Sequence, residues 1–230
     1  MIRMVVFDMA GTTVNEDNVV YKTLQKAIEH KGYPVSLDQV LTEGAGKEKS
    51  EAIRDILKIH AHTEDSQLVR EIYNDFVLML AKAYETLDVV PMPNTEKLFD
   101  ILKQKHIRVV LNTGYDAKTA RTLINKMRWI KDIHFDGLVT ASDVNQNRPD
   151  PEMIDLAMEE FGVTDSKEVI KIGDSIIDIE EGQNAGCRLS IGITTGAHSY
   201  LQLQSANPDY IINDLLDLVS ILDSLNMSGT

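Results

Sequence analysis

The stretch MVVFDMAGTTV, residues 4–14, joins a short apolar run to a lone acid, Asp8, and to a Gly-Thr-Thr turn. Four consecutive apolar residues predict a buried strand, Met4–Phe7. A carboxylate at the tip of a buried strand must be paired, hydrogen-bonded or bound to a metal. The carboxyl end of a parallel strand is also where α/β folds place their chemistry. The alternative is that Asp8 only caps the strand end, accepting hydrogen bonds from the turn amides.

Short apolar runs recur along the chain and alternate with helix-length segments. They predict further strands at Ile107–Leu111, Gly137–Thr140, Val169–Ile172 and Ser190–Ile193. Strands separated by helices are typical of βαβ units. We therefore expect an α/β fold, with a Rossmann-like parallel sheet covered by helices on both faces.

Residues 16–89 interrupt this alternation. Apolar positions at helical spacing predict four helices there and no strand, at Asn18–Lys31, Leu37–Thr42, Lys49–His60 and Asp65–Leu87. The sequence thus predicts an α/β core at residues 1–15 and 90–230 and an inserted all-helical cap at 16–89. The two connections, near Asn15 and Val90, would act as hinges and hold the cap above Asp8.

Composition narrows the classes of function. The chain has 230 residues, a net charge of −13 and one cysteine, Cys187. The negative charge argues against general binding to nucleic acid or to an anionic membrane surface. No apolar stretch reaches the ~18 residues that span a bilayer, and we see no secretory signal. These features lead us to expect a cytoplasmic protein.

Polar residues follow three more of the predicted strands. Thr113, in the segment Asn112-Thr113-Gly114-Tyr115, would cap the next helix and hold an anion beside it. Arg148 stands in an Arg-Pro-Asp-Pro turn, where it could bind phosphate or simply face solvent. Asp174 and Asp178 follow Val169–Ile172, and Asp178 could merely stabilise a helix N-terminus. Carboxylate oxygens at this edge favour Mg²⁺.

Together these segments resemble the haloacid dehalogenase-like hydrolase superfamily over the whole chain. The resemblance implies that Asp8 is a nucleophile that forms an aspartyl-phosphate and that Thr113 and Arg148 bind the phosphoryl group. It also implies a Mg²⁺ site made by Asp8, Asp174 and the Ala10 carbonyl, with Asp178 orienting a ligand or water. The further residues expected at the substrate are Thr12, Gly114, Tyr115 and His198.

Ala10 stands where most phosphatases of this superfamily carry an aspartate that protonates the leaving oxygen. The string Asp-x-Ala-Gly-Thr-Thr resembles the phosphonoacetaldehyde hydrolase, or phosphonatase, branch, in which a cap lysine forms a Schiff base with the substrate aldehyde. The spacing of Gly46, Lys49 and Arg54 matches that branch. Lys47 is the rival candidate, and Lys49 could instead be an exposed lysine.

Two departures put phosphonoacetaldehyde itself in question as the substrate. The methionine and the histidine of the phosphonatase cap are replaced by Ala45 and Ala52. The favoured function is a Mg²⁺-dependent phosphonatase-like hydrolase acting on a small phosphonate. The alternatives are a phosphomonoester phosphatase of the same superfamily and a non-catalytic protein that binds a phosphate ligand. The oligomeric state stays open, a cap-mediated dimer being one alternative.

Overall fold

The computed structural model describes residues 1–227. Its strands are β1 (Met4–Phe7), β2 (Val14–Asn15), β3 (Val90–Pro91), β4 (Arg108–Thr113), β5 (Gly137–Thr140), β6 (Val169–Gly173), β7 (Leu189–Ile193) and β8 (Tyr210–Ile212). Its α-helices are α1 (Val19–His30), α2 (Leu37–Gly44), α3 (Lys49–His60), α4 (Ser66–Thr86), α5 (Thr95–Gln104), α6 (Ala117–Lys126), α7 (Glu152–Glu160), α8 (Ile176–Asn184), α9 (Tyr200–Ser205) and α10 (Asp217–Met227).

Six strands form one parallel sheet in the order β5-β4-β1-β6-β7-β8. The prediction of an α/β fold with a parallel sheet is confirmed, and all five predicted strands are present. The strand predicted at Ile107–Leu111 begins one residue later and continues to Thr113. The short edge strand Tyr210–Ile212 was not predicted, because its residues are only partly buried and form no long apolar run.

The core lies on both faces of the sheet. Successive side chains of a strand point to opposite faces, so Val5 and Phe7 pack into one apolar cluster while Met4 and Val6 pack into the other. All four are fully buried. Burial on both faces explains why β1 is apolar at every position instead of alternating.

The predicted helices between residues 16 and 89 are all present, as α1 to α4. We call this segment the helical insert. It leaves and rejoins the sheet through a two-stranded antiparallel ribbon, in which Asn15 pairs with Val90. Both expected connections therefore lie side by side. Within the described residues, no helix is long and apolar enough to cross a membrane.

Candidate active site

The register of three central strands brings the predicted site residues to one edge of the sheet. Phe7 pairs with Leu111 of β4 on one side and with Ile172 of β6 on the other. Asp8, the next residue of its strand, therefore lies between the ends of β4 and β6. Thr113 ends β4, and Asp174 directly follows β6.

Three carboxylates meet at this edge. Asp8, Asp174 and Asp178 each place an oxygen within 4.8 Å of the others. Burial, together with the charge of Asp178, raises the pKa of Asp8 to about 6. Burial and the charge of Asp8 raise the pKa of Asp174 well above its usual range. The cluster therefore concentrates negative charge that the folded chain only partly neutralises.

Arg148 is the buried cation that faces Asp8. Its Nη1 donates to Asp8 Oδ1 at 2.8 Å and lies 2.9 Å from Asp178 Oδ1. Its Nη2 donates to the backbone carbonyl of Asn112 at 2.9 Å, and its Nε lies 3.0 Å from Glu181 Oε2. The Arg148 side chain is only 1% exposed, so it does not face solvent as the alternative interpretation supposed. The guanidinium fixes one oxygen of the carboxylate predicted to be the nucleophile.

Lys171 completes the charge network behind Asp8. It is fully buried in the middle of β6, and its Nζ lies 3.0 Å from both Asp178 Oδ1 and Glu181 Oε2. Although burial opposes it, the charges of Arg148 and Lys171 hold the pKa of Asp178 below its usual range. Asp178 also accepts hydrogen bonds from the amide and hydroxyl of Ser175. It therefore stabilises the start of α8 and joins the site at the same time.

The charge balance of the cluster fits a divalent cation. With every carboxylate ionised, four buried carboxylates face two buried cations, Arg148 and Lys171, which leaves two negative charges; the carboxylates are Asp8, Asp174, Asp178 and Glu181. Asp174 has no ion-pair partner within residues 1–227. Buried charges need compensation, and carboxylate oxygens are hard ligands of the kind that Mg²⁺ prefers. The residues present therefore fit such an ion.

Two glycines let the chain pass close to Asp174. A β-carbon on either Gly11 or Gly196 would overlap the Asp174 carboxylate. Asp174 Oδ2 accepts a hydrogen bond of 2.6 Å from the Ala197 amide. Thr12, predicted to contact substrate, is buried with its hydroxyl 3.4 Å from Asp174 Oδ1. These contacts explain why the turn after Asp8 needs small residues.

The loop after β4 differs in detail from the prediction. Thr113 does not cap the next helix, because it is the last residue of β4, and its Oγ1 accepts from the Tyr115 amide at 3.2 Å. Asp116 is the N-cap of α6 and accepts from two amides of its first turn. Gly114 lies against the helical insert, where a β-carbon would come 2.7 Å from the Gly46 carbonyl oxygen.

Lys49 is buried at the junction of the insert and the core, not exposed. Its Nζ donates to the Lys47 carbonyl at 2.6 Å. It lies 5.3 Å from the ring centroid of Tyr115 and 5.5 Å from that of Tyr21. Burial lowers the pKa of Lys49 to about 8, against the opposing charges of Glu48 and Asp8. A fraction of the amine is therefore neutral near physiological pH. Burial is the main cause of this lowered pKa, and the charge of Arg148 adds to it.

The rival lysine occupies a different environment. Lys47 Nζ forms an ion pair with Asp55 at 2.5 Å, and the Lys47 side chain is 27% exposed. Glu48 fixes the start of α3 by accepting hydrogen bonds from the amides of Ser50 and Glu51. This cap positions Lys49 as the first residue of the helix, with its side chain directed into the junction.

His198 lies at the rim between core and insert. Its Nδ1 accepts from the Ile176 amide at 3.0 Å, so the ring proton is on Nε2, which lies 3.2 Å from the Leu41 carbonyl oxygen. Burial lowers the pKa of His198, which favours this neutral form. Both ring nitrogens are therefore engaged with protein groups, and the ring links α8 to α2.

Three buried polar residues of this region were not predicted from sequence. Two of them have a recognisable sequence signal. Lys171 is a lysine inside an apolar strand, and Glu181 follows Asp178 by one helical turn. Glu16 gives none. It is 3% exposed, and its Oε2 accepts from the Tyr84 hydroxyl at 2.7 Å and from the Val20 amide at 3.3 Å. Burial raises the pKa of Glu16 to about 7.

Several of the curated proteins similar to this chain carry the same activity in their names. Phosphonoacetaldehyde hydrolase from Latilactobacillus sakei is 27% identical, and the match covers 96% of this chain and 95% of that protein. A bifunctional phosphonoacetaldehyde hydrolase/aminoethylphosphonate transaminase from Clostridioides difficile is 32% identical, with 80% of this chain and 30% of that protein covered. The resemblance seen in the sequence is thereby confirmed.

Solved structures and a family model complete the comparison. A phosphonoacetaldehyde hydrolase-like protein from Oleispira antarctica superposes with a TM-score of 0.84 at 22% identity, covering 98% of this chain and 93% of that one. A protein described as a predicted phosphoglycolate phosphatase from Haemophilus somnus has a TM-score of 0.78 at 20% identity, covering 96% and 98%. At such identities these two show the fold alone. The model of the haloacid dehalogenase-like hydrolases, however, matches residues 5–191, from the strand before Asp8 to beyond Asp178. The chain belongs to that family and is a hydrolase.

Proposed function

We propose that this hydrolase cleaves the carbon–phosphorus bond of a small phosphonate, with Asp8 as the nucleophile and Lys49 as a Schiff-base lysine. The observation that carries the proposal is the Lys49 amine, which is buried at the junction of the insert and the core with a pKa of about 8. An amine must be neutral to add to an aldehyde, and burial is the physical means of keeping a lysine neutral.

A Schiff base would make an acid at the position of Ala10 unnecessary. The carbon that leaves phosphorus has to accept an electron pair, and Ala10 has no proton to offer it. An iminium on Lys49 withdraws that electron pair as the bond breaks. One oxygen of Asp8 attacks phosphorus while Arg148 holds Oδ1 at 2.8 Å, and water later hydrolyses the aspartyl-phosphate.

The phosphoryl group would lie between Asp8 and the loop after β4. Thr113, Gly114 and the Tyr115 amide form that loop, and the Arg148 guanidinium lies behind Asp8. Mg²⁺, held by Asp8, Asp174 and the Ala10 carbonyl, would supply positive charge for the phosphoryl oxygens. Asp178 would orient this set through its contacts with Arg148 and Lys171. The insert would act as a cap that excludes water from the junction.

A phosphomonoester phosphatase is the second candidate, and one observation favours it. Burial raises the pKa of Glu16 to about 7, so that roughly half of this side chain is protonated at neutral pH. It lies close enough to Lys49 for its ionised form to act on the pKa of that amine. An acid in that position could protonate a leaving oxygen in place of the aspartate missing at Ala10. In that mechanism Lys49 would only bind the phosphate. The non-catalytic alternative loses support, since the chain belongs to a hydrolase family.

Borohydride trapping separates the two candidates. Sodium borohydride added with phosphonoacetaldehyde and Mg²⁺ should inactivate the enzyme, and peptide mapping should place the adduct on Lys49. Lys49→Arg should lose phosphonate cleavage, because a guanidinium stays charged and cannot form an imine. Lys47→Arg is the matched control and should retain it. Rapid hydrolysis of phosphate esters without any trapping would make the chain a phosphatase.

A further inference from the structure

A large cavity lies next to Lys49 and is not used by the mechanism above. It has a volume of about 630 Å³ and runs between α4 of the insert and the first turns of α6 in the core. Lys49, Gly114 and Tyr115 form its inner end. None of the described residues that line it belongs to the carboxylate cluster around Asp8. The cavity therefore begins where the proposed reaction site ends.

The wall contributed by α4 is mainly apolar. Phe76 and Leu80 are buried there, while Val77 and Leu78 are 37% and 71% exposed toward the outer end. The opposite wall is polar and comes from the N-cap and first turns of α6, where the charged Asp116 and Lys118 lie beside Thr119 and Thr122. A ligand in this channel would bury apolar surface against α4, and the outer end of the channel is open to solvent. The side along α4 suits an alkyl or aryl chain.

The size of the cavity exceeds what a two-carbon phosphonate needs. Cavities of roughly 300–1,000 Å³ are those that enclose ligands of drug size, and this one has about 630 Å³ in addition to the space around Asp8. Phosphonoacetaldehyde has no carbon atom beyond its carbonyl carbon to occupy it. The order of groups along the site is thus Asp8, then Lys49, then the apolar channel.

That order matches the connectivity of one class of compound. We propose, on the basis of the proposed function, that the substrate is a 2-oxoalkylphosphonate, whose phosphorus faces Asp8, whose carbonyl carbon reaches Lys49, and whose alkyl or aryl substituent fills the channel between α4 and α6. The substituent distinguishes this substrate from an unsubstituted aldehyde. Phe76 and Leu80 then determine specificity.

The reaction balances without a further reactant. The Lys49 amine adds to the ketone and a water leaves, which gives an iminium. Asp8 forms a bond to phosphorus as the carbon–phosphorus bond breaks, and the electron pair passes to the iminium nitrogen as an enamine. Proton uptake at carbon and hydrolysis release a methyl ketone and free Lys49, and a second water releases phosphate from Asp8. The net change is one phosphonate plus one water to one methyl ketone plus phosphate.

A chain-length series tests this assignment. Phosphate release from phosphonoacetaldehyde, 2-oxopropylphosphonate, 2-oxobutylphosphonate and 2-oxohexylphosphonate would be measured with Mg²⁺ present. We expect kcat/KM to rise about fourfold for each CH₂ that enters the channel, mainly through KM. Ala81→Trp, which fills the channel from α4, should abolish this rise and leave phosphonoacetaldehyde cleavage within about twofold. Glu85→Trp, on the same helix but outside the cavity lining, should preserve the rise.

The outcomes are distinguishable. A flat or falling series with intact cleavage of phosphonoacetaldehyde would overturn the channel assignment and leave the proposed function standing. If Ala81→Trp keeps the full rise of kcat/KM, the channel assignment is also wrong, since the alkyl chain of the substrate then binds elsewhere. A wild-type enzyme that cleaves no phosphonate but hydrolyses phosphate esters would overturn the proposed function and this inference together.

Discussion

Gly114 of the core and Gly46 of the helical insert meet backbone to backbone. A β-carbon at Gly114 would lie 2.7 Å from the Gly46 carbonyl oxygen and 2.8 Å from that of Lys47. Gly46 has a φ of +75°, and a β-carbon on it would overlap Ser175 and Ile177 of the core. The insert therefore rests on the two loops that carry the predicted phosphoryl and metal ligands, and the absence of side chains at these glycines makes the contact possible.

Substitution of Gly46 should displace the insert. We expect Gly46→Ala to lower kcat/KM by roughly 100-fold, since a displacement of about 1 Å can have that effect on a positioned group. Gly32→Ala is the matched control: Gly32 has a φ of +87° and nothing within 4 Å of its added β-carbon. Both variants should lose about 1–2 kcal/mol of folding stability from the positive φ, so equal activity in the two would contradict this role of Gly46.

Asp8→Asn should abolish turnover and leave the fold intact. An amide is a poor nucleophile, so phosphate release should fall by roughly 10⁴-fold or more. The Arg148 guanidinium keeps its contacts with Asp178 and Glu181 in this variant, so circular dichroism should be unchanged. Asp65→Asn, at the exposed start of α4, is the control for the substitution itself. Retained phosphate release would show that the nucleophile is another group.

Mg²⁺ should stabilise the wild-type protein and be needed for activity. Treatment with a chelator should stop phosphate release, and added Mg²⁺ should restore it. Because a ligand that binds only the native state raises its stability, Mg²⁺ should also raise the Tm. Asp174→Asn removes one of the proposed ligands, so the Tm of this variant should not respond to Mg²⁺. An equal rise of Tm in both proteins would mean that Asp174 is not a ligand of the ion.

Imine formation at Lys49 should increase with pH. With a pKa of about 8, roughly a tenth of the amine is neutral at pH 7 and about nine-tenths at pH 9. The initial rate of borohydride trapping should therefore rise through pH 8 and level off above pH 9. The rate at each pH would be taken from the loss of free amine at Lys49 by mass spectrometry. A rise only above pH 10 would mean that the buried amine is charged at neutral pH.

Glu16 should make the protein less stable as pH rises. Its folded pKa of about 7 exceeds the ordinary value of 4.5, so folding favours the protonated form. The stability contributed by this group is fully present below pH 4.5 and is lost as pH rises to about 7. Glu16→Gln should therefore be more stable than wild type at pH 8, by at most about 3 kcal/mol. Urea unfolding at pH 5 and pH 8 measures the difference, with Glu85→Gln, an exposed glutamate of α4, as the control.

The parts of the fold that repeat a local pattern could be predicted from sequence. The apolar runs of β1 and β6 and the helical spacing in the insert are local signals, and they predict these elements to within two residues. The parallel sheet then follows from their alternation, and it brings Asp8 and Asp174 to one edge. The ends of β4 and the N-cap of α6 were misassigned, because Thr113 and Asp116 are both suitable caps and only the strand register decides between them.

The electrostatic details of the site depend on contacts that no local pattern contains. Lys171 and Glu181 belong to the site because Glu181 pairs with Lys171 and with Arg148, which comes from a turn distant in the sequence. The burial of Lys49 likewise depends on Tyr115 and Tyr21 folding around it. A sequence motif can indicate that a lysine matters, but its pKa is a property of the assembled junction.

The ribbon that joins Val14–Asn15 to Val90–Pro91 gives the chain a modular connectivity. Because Asn15 and Val90 are paired in this ribbon, the chain leaves and rejoins the core at one place, and among the described strands of the sheet only the connection from β1 to β4 passes through the insert. An insert of a different length could replace this one at the ribbon with only a small change in loop-closure entropy. The α4 residues proposed to contact the substituent of the substrate can therefore diverge independently of Asp8, Asp174 and Arg148, which belong to the core.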